Sequence, residues 1–252
     1  SDETNKVLLE TKPDAVLHTT GSGLESIYPQ LGDAIRAGAN IVSTCEELSY
    51  PYYKQCKLAI SLDNLAKECR VTVLGTGVNP GFIMDAWPLF MTGACQDVQS
   101  IKVSRIQDAS VRRIPFQKKI GAGKTLEEFD KLVEEGTLKH VGLPESIAMI
   151  AAGLGWELDD ITETIEPIVA EGEVCSDFVT VKPGQAAGVK QVGRGLKEGK
   201  ELITENFQAY LGAPQSYDAV QITGTPNMEV VIKGGTNGDI ATAAMMINSI
   251  RR

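Results

Sequence analysis

IVSTCEELSYPYY, residues 41–53, decides how the first third of this chain is read. A short apolar run stops at two adjacent carboxylates, Glu46 and Glu47, and an aromatic-rich turn follows. Working outward, the same rhythm recurs. DAVLHTT (14–20) is a short apolar strand running into the turn GSG, and residues 25–37 read as a helix that ends before Gly38. NIVSTC (40–45) is the next strand and YYKQCKLAISLDNLAKEC (52–69) the next helix. VTVLGT (71–76) is a third strand, followed by GVNPG and an apolar helix over FIMDAWPLFMTG (82–93), while DETNKVLLETK (2–12) is a helix feeding the first strand. Strands alternating with helices, each strand with an apolar core, predict βαβ units and a parallel sheet.

From residue 97 the rhythm changes. DVQSIKVSRIQDAS (97–110) is a long alternating strand, a helical stretch covers 124–155, and strand-like runs stand at 174–181, 201–211, 217–223 and 228–233. The small-residue stretch GDIATAAMMINSI (238–250) reads as a closing helix with Asp239 as its N-cap. This segregation predicts an α+β domain with a mixed sheet. The fold class is therefore α/β plus α+β, without repeats or low-complexity segments.

Bulk composition excludes several functions. The formal net charge of -9 argues against a nucleic-acid surface, which needs a basic face. No apolar run approaches the roughly 20 residues needed to span a bilayer, and no signal-peptide pattern opens the sequence. The five cysteines are odd in number, scattered and never in a C-x-x-C pair, which fits reduced thiols in a cytoplasm rather than a disulfide framework or a zinc site. With only His18 and His140 present, a histidine-rich metal centre is not expected, and His140 reads as structural.

In an open parallel sheet, ligands bind just beyond the carboxyl ends of the strands. Three such ends are visible: TTGSG (19–23), TCEE (44–47) and GTGVNPG (75–81). TTGSG offers small residues and backbone N–H groups for close approach of a cofactor, or a plain tight turn. In GVNPG, Asn79 is held extended by the following proline and offers its amide to a carboxamide or carboxylate, or serves only the loop. On an extended segment Glu46 and Glu47 point opposite ways, so one faces the cleft and the other solvent or a cap. In RIQDASVRRIPFQKK (105–119), period-two alternation puts Arg105 and Gln107 on one face, fitted to line a pocket for a small anion. Arg112, Arg113, Lys118 and Lys119 read instead as a solvated or interface loop.

Two nucleotide signatures fail. The strand–G-x-G-x-x-G–helix hexad is absent, which leaves either a smaller three-stranded unit or a missing N-terminal βαβ segment of roughly 50–80 residues, at about 30 residues per unit. We favour the second. GAGKT (121–125) is not a phosphate loop, because Lys118 stands where the pattern needs its first glycine.

Taken together, TTGSG, STCEELSYP, GVNPGFIMD, RIQDASVRRIPFQKKIGAG and GGTNGDIATAAMMIN resemble the 2,4-diaminopentanoate dehydrogenases and the related native NAD(P)-dependent amine dehydrogenases, which are built like dihydrodipicolinate reductase. The likeness runs over nearly the whole chain. It implies the C-terminal part of a Rossmann-type domain over residues 1–95, with the 235–252 helix packing back on it, and a substrate-binding and dimerisation domain over 96–234. A glycine motif upstream of Ser1 is then expected, and without it dinucleotide binding by the chain alone is expected to be weak. The resemblance further implies NAD or NADP as cofactor, a small amino acid or keto acid with ammonia as substrates, and a homodimer. Glu46 matches the family's catalytic acid. Thr20, Gly21, Ser22, Gly77, Asn79, Pro80 and Gly81 fall at the cofactor, and Asn79, Arg105 and Gln107 near the substrate. The paired histidines and lysine of the dihydrodipicolinate reductases proper are absent, which excludes that activity, and Asn237 replaces a histidine common in the family. Rival readings are a ketone or imine reductase that does not use ammonia, and a cofactor-poor binding or regulatory protein.

Overall fold

Alternating strands and amphipathic helices build a three-stranded parallel sheet in the first part of the computed structural model, which describes residues 3–250. The elements are α1 (Thr4–Thr11), β1 (Ala15–His18), α2 (Leu24–Arg36), β2 (Asn40–Ser43), a 3-10 turn (Glu46–Ser49), α3 (Cys56–Cys69) and β3 (Val73–Gly75). β2 lies in the middle, with Val42 level with Leu17 on one side and Leu74 on the other. Leu24, Ile27, Leu31 and Ile35 recur on one face of α2 and are buried with Ile41, Leu48, Leu62 and Ala66 in a single core. Burying each such leucine or isoleucine contributes roughly 1.5–3 kcal/mol, so this face fixes the helix on the sheet. The helix expected from Tyr52 begins only at Cys56, because Pro51 starts a turn in which Tyr50 and Tyr52 meet edge to face at 5.7 Å. The first residue of the 2–12 reading, Asp2, lies outside the described residues.

The chain divides into two compact units, one running to Ala86 and resuming at Asn237, the other spanning Trp87–Thr236. The sequence reading placed this boundary at residue 95. α4 (Ala86–Thr92) contains the boundary in sequence and is shorter than the expected 82–93 helix, since residues 81–85 form turns.

The second unit contains β4 (Asp97–Asp108), α5 (Ile114–Lys119), α6 (Leu126–Glu134), α7 (Leu143–Leu154), β5 (Asp160–Val169), β6 (Val174–Cys175), β7 (Thr180–Val181), β8 (Ala186–Lys197), β9 (Lys200–Tyr210), β10 (Tyr217–Thr225) and β11 (Met228–Lys233). Its six-stranded sheet has the order β11-β10-β4-β9-β8-β5 and is mixed: β4 and β9 are parallel, all other neighbours antiparallel. The single helix expected over 124–155 is two, because Pro144 fits only the first turn of a helix. A capping box between Thr125 and Glu128 starts the earlier one. The 174–181 run is a small hairpin of β6 and β7. β5 and β8 are additions to the sequence reading. β5 contains Pro167, which an edge strand tolerates, and β8 is interrupted by Gly188, Gly193 and Gly195. Ile147 of α7 packs closely over Gly193 and Gly195.

Returning to the first unit, α8 (Gly238–Ile250) packs on β2. Its cap is Asn237 rather than Asp239: the Asn237 Oδ1 accepts the backbone N–H of Asp239 at 3.0 Å and of Ile240 at 3.2 Å. The residue that departs from the family pattern therefore has a structural task at this helix start.

Candidate active site

The carboxyl ends of β1, β2 and β3 converge on a cleft of about 330 Å³ within the first unit. It is lined by Thr19, Thr20, Gly21 and Ser22 after β1, Thr44 and Glu46 after β2, Gly77, Val78, Asn79 and Pro80 after β3, and Thr242 from α8. Of the residues singled out in the sequence, Thr20, Gly21, Ser22, Glu46, Gly77, Asn79 and Pro80 are thus brought together. Thr19, Thr44, Val78 and Thr242 were missed. The first three lie inside the motifs TTGSG, TCEE and GTGVNPG without having been singled out there, and Thr242 lies one turn into a helix whose composition carries no chemical signal.

The two adjacent glutamates take different tasks. The segment is not extended, as the sequence suggested, but coiled into a 3-10 turn that buries Leu48 in the core. Glu46 lines the cleft. Glu47 turns to α2, where its Oε2 accepts the Leu24 N–H at 2.8 Å, and its own N–H donates to Ser22 O at 3.2 Å. It thereby caps a helix whose preceding residue, Gly23, has no side chain to do so. Cys45, just before the pair, is fully buried; burial pushes its thiol up to about 11, so it is a packed apolar group rather than a nucleophile.

Close backbone contacts set the remaining geometry. A Cβ at Gly75 would come within 2.4 Å of Leu48 O, so only glycine lets β3 pass directly beneath the turn that carries Glu46. Gly81 has φ +114, and its Cβ position lies 2.4 Å from Gly77 N, so the GVNPG loop closes tightly on itself. The Asn79–Pro80 bond within it is cis. Gly81 itself is not among the cleft-lining residues; its N–H donates to the buried Asp85 Oδ2 at 2.6 Å, and Asp85 also accepts from Ala86 N. Asp85 is a loop clamp that the sequence reading passed over.

Arg105 and Gln107 lie in the second unit, in a buried polar network. Arg105 is 2% exposed and pairs with Asp218, itself fully buried, at 2.6 Å; its other arm donates to Thr236 O at 2.8 Å. Gln107 Nε2 also donates to Thr236 O, and Gln107 Oε1 accepts from Arg112 at 2.9 Å. Burial lowers the Arg105 pKa, and the adjacent Asp218 carboxylate opposes that shift. Arg112, expected in a solvated or interface loop, is buried and stacks over Phe116 at 4.1 Å. Asp218 Oδ2 accepts the Thr236 N–H at 2.7 Å, so both backbone groups of Thr236 are held just ahead of the Asn237 cap. His140 packs edge-on against Phe207, and its Nδ1 hydrogen-bonds to Val141 O at 2.8 Å. Burial pulls its pKa down to about 3, and the sequence reading of it as structural matches these contacts. Among the described residues no cluster of three metal-ligating side chains occurs, and no helix is long and apolar enough to cross a membrane.

Comparison with known proteins places this site in context. The family described as "2,4-diaminopentanoate dehydrogenase C-terminal domain" matches residues 82–252. The chain is 38% identical over 250 residues to a 2,4-diaminopentanoate dehydrogenase of Acetoanaerobium sticklandii, a match covering 97% of this chain and 71% of that protein. It is 22% identical to an amine dehydrogenase of Streptomyces virginiae, across 98% of this chain and 73% of that one. Among solved structures, the amine dehydrogenase of Mycobacterium smegmatis superposes with a TM-score of 0.83 at 22% identity, covering 100% of this chain and 75% of that one. That likeness extends to the fold, a parallel sheet together with a mixed sheet.

Proposed function

The chain belongs to the 2,4-diaminopentanoate dehydrogenase family, and on that premise we propose that it is an NAD(P)-dependent oxidoreductase acting on a CH–NH2 group. Its reaction is the oxidative deamination of a small amino-bearing acid such as 2,4-diaminopentanoate, and in reverse the amination of the matching ketone. One observation carries the reading: Glu46 is the single ionisable side chain among those lining a cleft otherwise made of hydroxyls, an amide, Val78, Pro80 and glycine backbone.

That lining fits the nicotinamide end of a dinucleotide. The hydroxyls of Thr19, Thr20, Ser22, Thr44 and Thr242 suit ribose hydroxyls, and the Asn79 amide suits a carboxamide. A bound nicotinamide supplies the two-electron acceptor. Glu46 takes a proton from the substrate ammonium, freeing the nitrogen lone pair to form the C=N bond as the carbon loses its hydrogen. Once that proton has passed to solvent, Glu46 takes one from the water that adds to the carbon and delivers it to the nitrogen as ammonia leaves; in reverse the same transfers run backwards. The same negative charge holds an ammonium in place before reaction.

Arg105 and Gln107 enter this proposal as positioning residues. They hold the backbone carbonyl of Thr236 within the second unit. A homodimer is proposed on the outer face of the six-stranded sheet, where Lys102, Gln221 and Val231 are exposed, and light scattering on the purified protein tests it. A cytoplasmic setting accords with five unbridged cysteines.

Glu46→Gln tests the assignment. It keeps the shape of the side chain and should lower kcat by about 10²–10⁴-fold while NADH and NADPH binding stays within about twofold. An unchanged kcat would remove Glu46 from the chemistry.

A further inference from the structure

β1 ends in a histidine, at a buried position where a parallel strand ordinarily places an aliphatic side chain. His18 is 7% exposed, and its ring joins groups from three segments: Ser43 Oγ at 3.0 Å from Nδ1, with Thr20 Oγ1 at 2.9 Å and Gln30 Oε1 at 3.1 Å from Nε2. The backbone repeats the connection, since His18 O accepts the N–H of Thr44, a cleft-lining residue, at 3.0 Å.

The direction of each bond follows from which groups can only donate or only accept. The Cys45 N–H can only donate, so Ser43 Oγ accepts it at 3.1 Å, and its own proton is free to point at His18 Nδ1. Gln30 Oε1 can only accept: it takes the Thr20 hydroxyl proton at 2.7 Å, and it faces Nε2, which therefore carries a proton. Thr20 Oγ1 has given its proton to Gln30, so toward His18 it accepts. The polarity of the network is thereby set at its Nε2 end, where Gln30 fixes the Thr20 hydroxyl in the cleft wall.

We propose that His18 is a positioning residue that fixes the Thr20 hydroxyl as an acceptor and braces the ends of β1 and β2 on either side of the cleft. Thr20, its proton committed, can offer a ligand only a lone pair. The wall at this point selects an N–H or O–H donor, such as a carboxamide N–H or a ribose hydroxyl, over an acceptor. This rests on the reading of the cleft as a nicotinamide site and names the group that sets its polarity. Residue 18 matters here through Thr20 and Ser43, without itself lining the cleft.

Two substitutions separate its two tasks. His18→Asn places an amide oxygen near the position of Nδ1 and keeps the bond from Ser43, but has no donor for Thr20. His18→Gln extends an amide N–H toward Thr20 and Gln30. NADH and NADPH fluorescence titrations should show His18→Asn and Thr20→Val each weakening affinity about fivefold, the loss of one neutral hydrogen bond. The double variant should be no weaker than either single one, and His18→Gln should recover to within about twofold of wild type. A merely structural role predicts instead additive losses and equal effects of Asn and Gln. The tautomer is read independently, without ligand, from the ring 15N shifts of His18, and the expected result is the Nε2–H form. Wild-type protein that binds neither nucleotide even at millimolar concentration overturns the functional reading on which this rests. Binding with additive losses, or an Nδ1–H ring, overturns the role of His18 alone.

Discussion

Removing Glu47 should weaken the fold while removing its neighbour Glu46 should not. The Glu47 carboxylate accepts the Leu24 N–H at 2.8 Å, one of the N–H groups that α2 leaves without an intrahelical partner, and it does so at the positive end of a 13-residue helix. Loss of a side-chain cap costs about 0.5–2 kcal/mol, and the carboxylate here combines cap and charge, so Glu47→Ala should cost about 1–2 kcal/mol. Leu24 is fully buried, so the freed N–H sits beside the core with little water to replace its partner, which favours the upper end of that range. Glu47→Gln, which keeps an acceptor oxygen without the charge, should fall between Ala and wild type. Urea unfolding followed by far-UV circular dichroism measures this, with the midpoint lowered at unchanged slope. Glu46→Ala should leave the midpoint within about 0.5 kcal/mol of wild type, since its carboxylate faces the cleft. If the two alanine variants exchanged these behaviours, the division of labour between the glutamates would be wrong.

Other perturbations follow from the same geometry. Gly75→Ala forces a Cβ to within 2.4 Å of Leu48 O; it should cost about 1–3 kcal/mol and displace the turn carrying Glu46, which urea unfolding and kcat measured together would show. Arg105→Met leaves Asp218 buried without its cation and should cost about 3–5 kcal/mol, with the double variant Arg105→Met/Asp218→Asn less destabilised than the single one. For His140, burial depresses the folded-state pKa from 6.5 to about 3, so between these values the unfolded chain binds the extra proton. Stability should then decline as pH falls from about 6.5 toward about 3, with His140 adding up to about 1.4 kcal/mol per pH unit, and His140→Phe should flatten that part of the profile.

How much of this was legible in the sequence depended on whether the deciding interaction was local. β1, β2 and β3 each carry an apolar run ended by a turn signal, and their carboxyl ends could be named before any coordinates. The cleft-lining Thr20, Ser22, Glu46 and Asn79 followed from those ends. What stayed hidden depends on residues far apart in sequence. Thr242 reaches the cleft only because α8 packs on β2, some two hundred residues earlier in the chain. Arg105 alternates correctly along β4, yet its partners Asp218 and Thr236 are supplied by β10 and the segment after β11. β8 escaped because its glycines, of which Gly193 and Gly195 pack closely beneath Ile147, remove the β-branched signal by which strands are read. The identity of the α8 cap was missed by two residues, the ordinary scale of error at a helix end.

The central claim is that Glu46 serves an amine-forming and amine-removing reaction, and ammonia dependence tests it most directly. The measurement is consumption of NADPH and of NADH by the purified protein with 2-amino-4-oxopentanoate, with and without ammonium, beside the Glu46→Ala variant. The account predicts turnover that requires ammonium and collapses in the variant. Turnover independent of ammonium would contradict it and make the protein a keto reductase, and no turnover with either nucleotide even at millimolar concentration would contradict the assignment of the cleft to a nicotinamide.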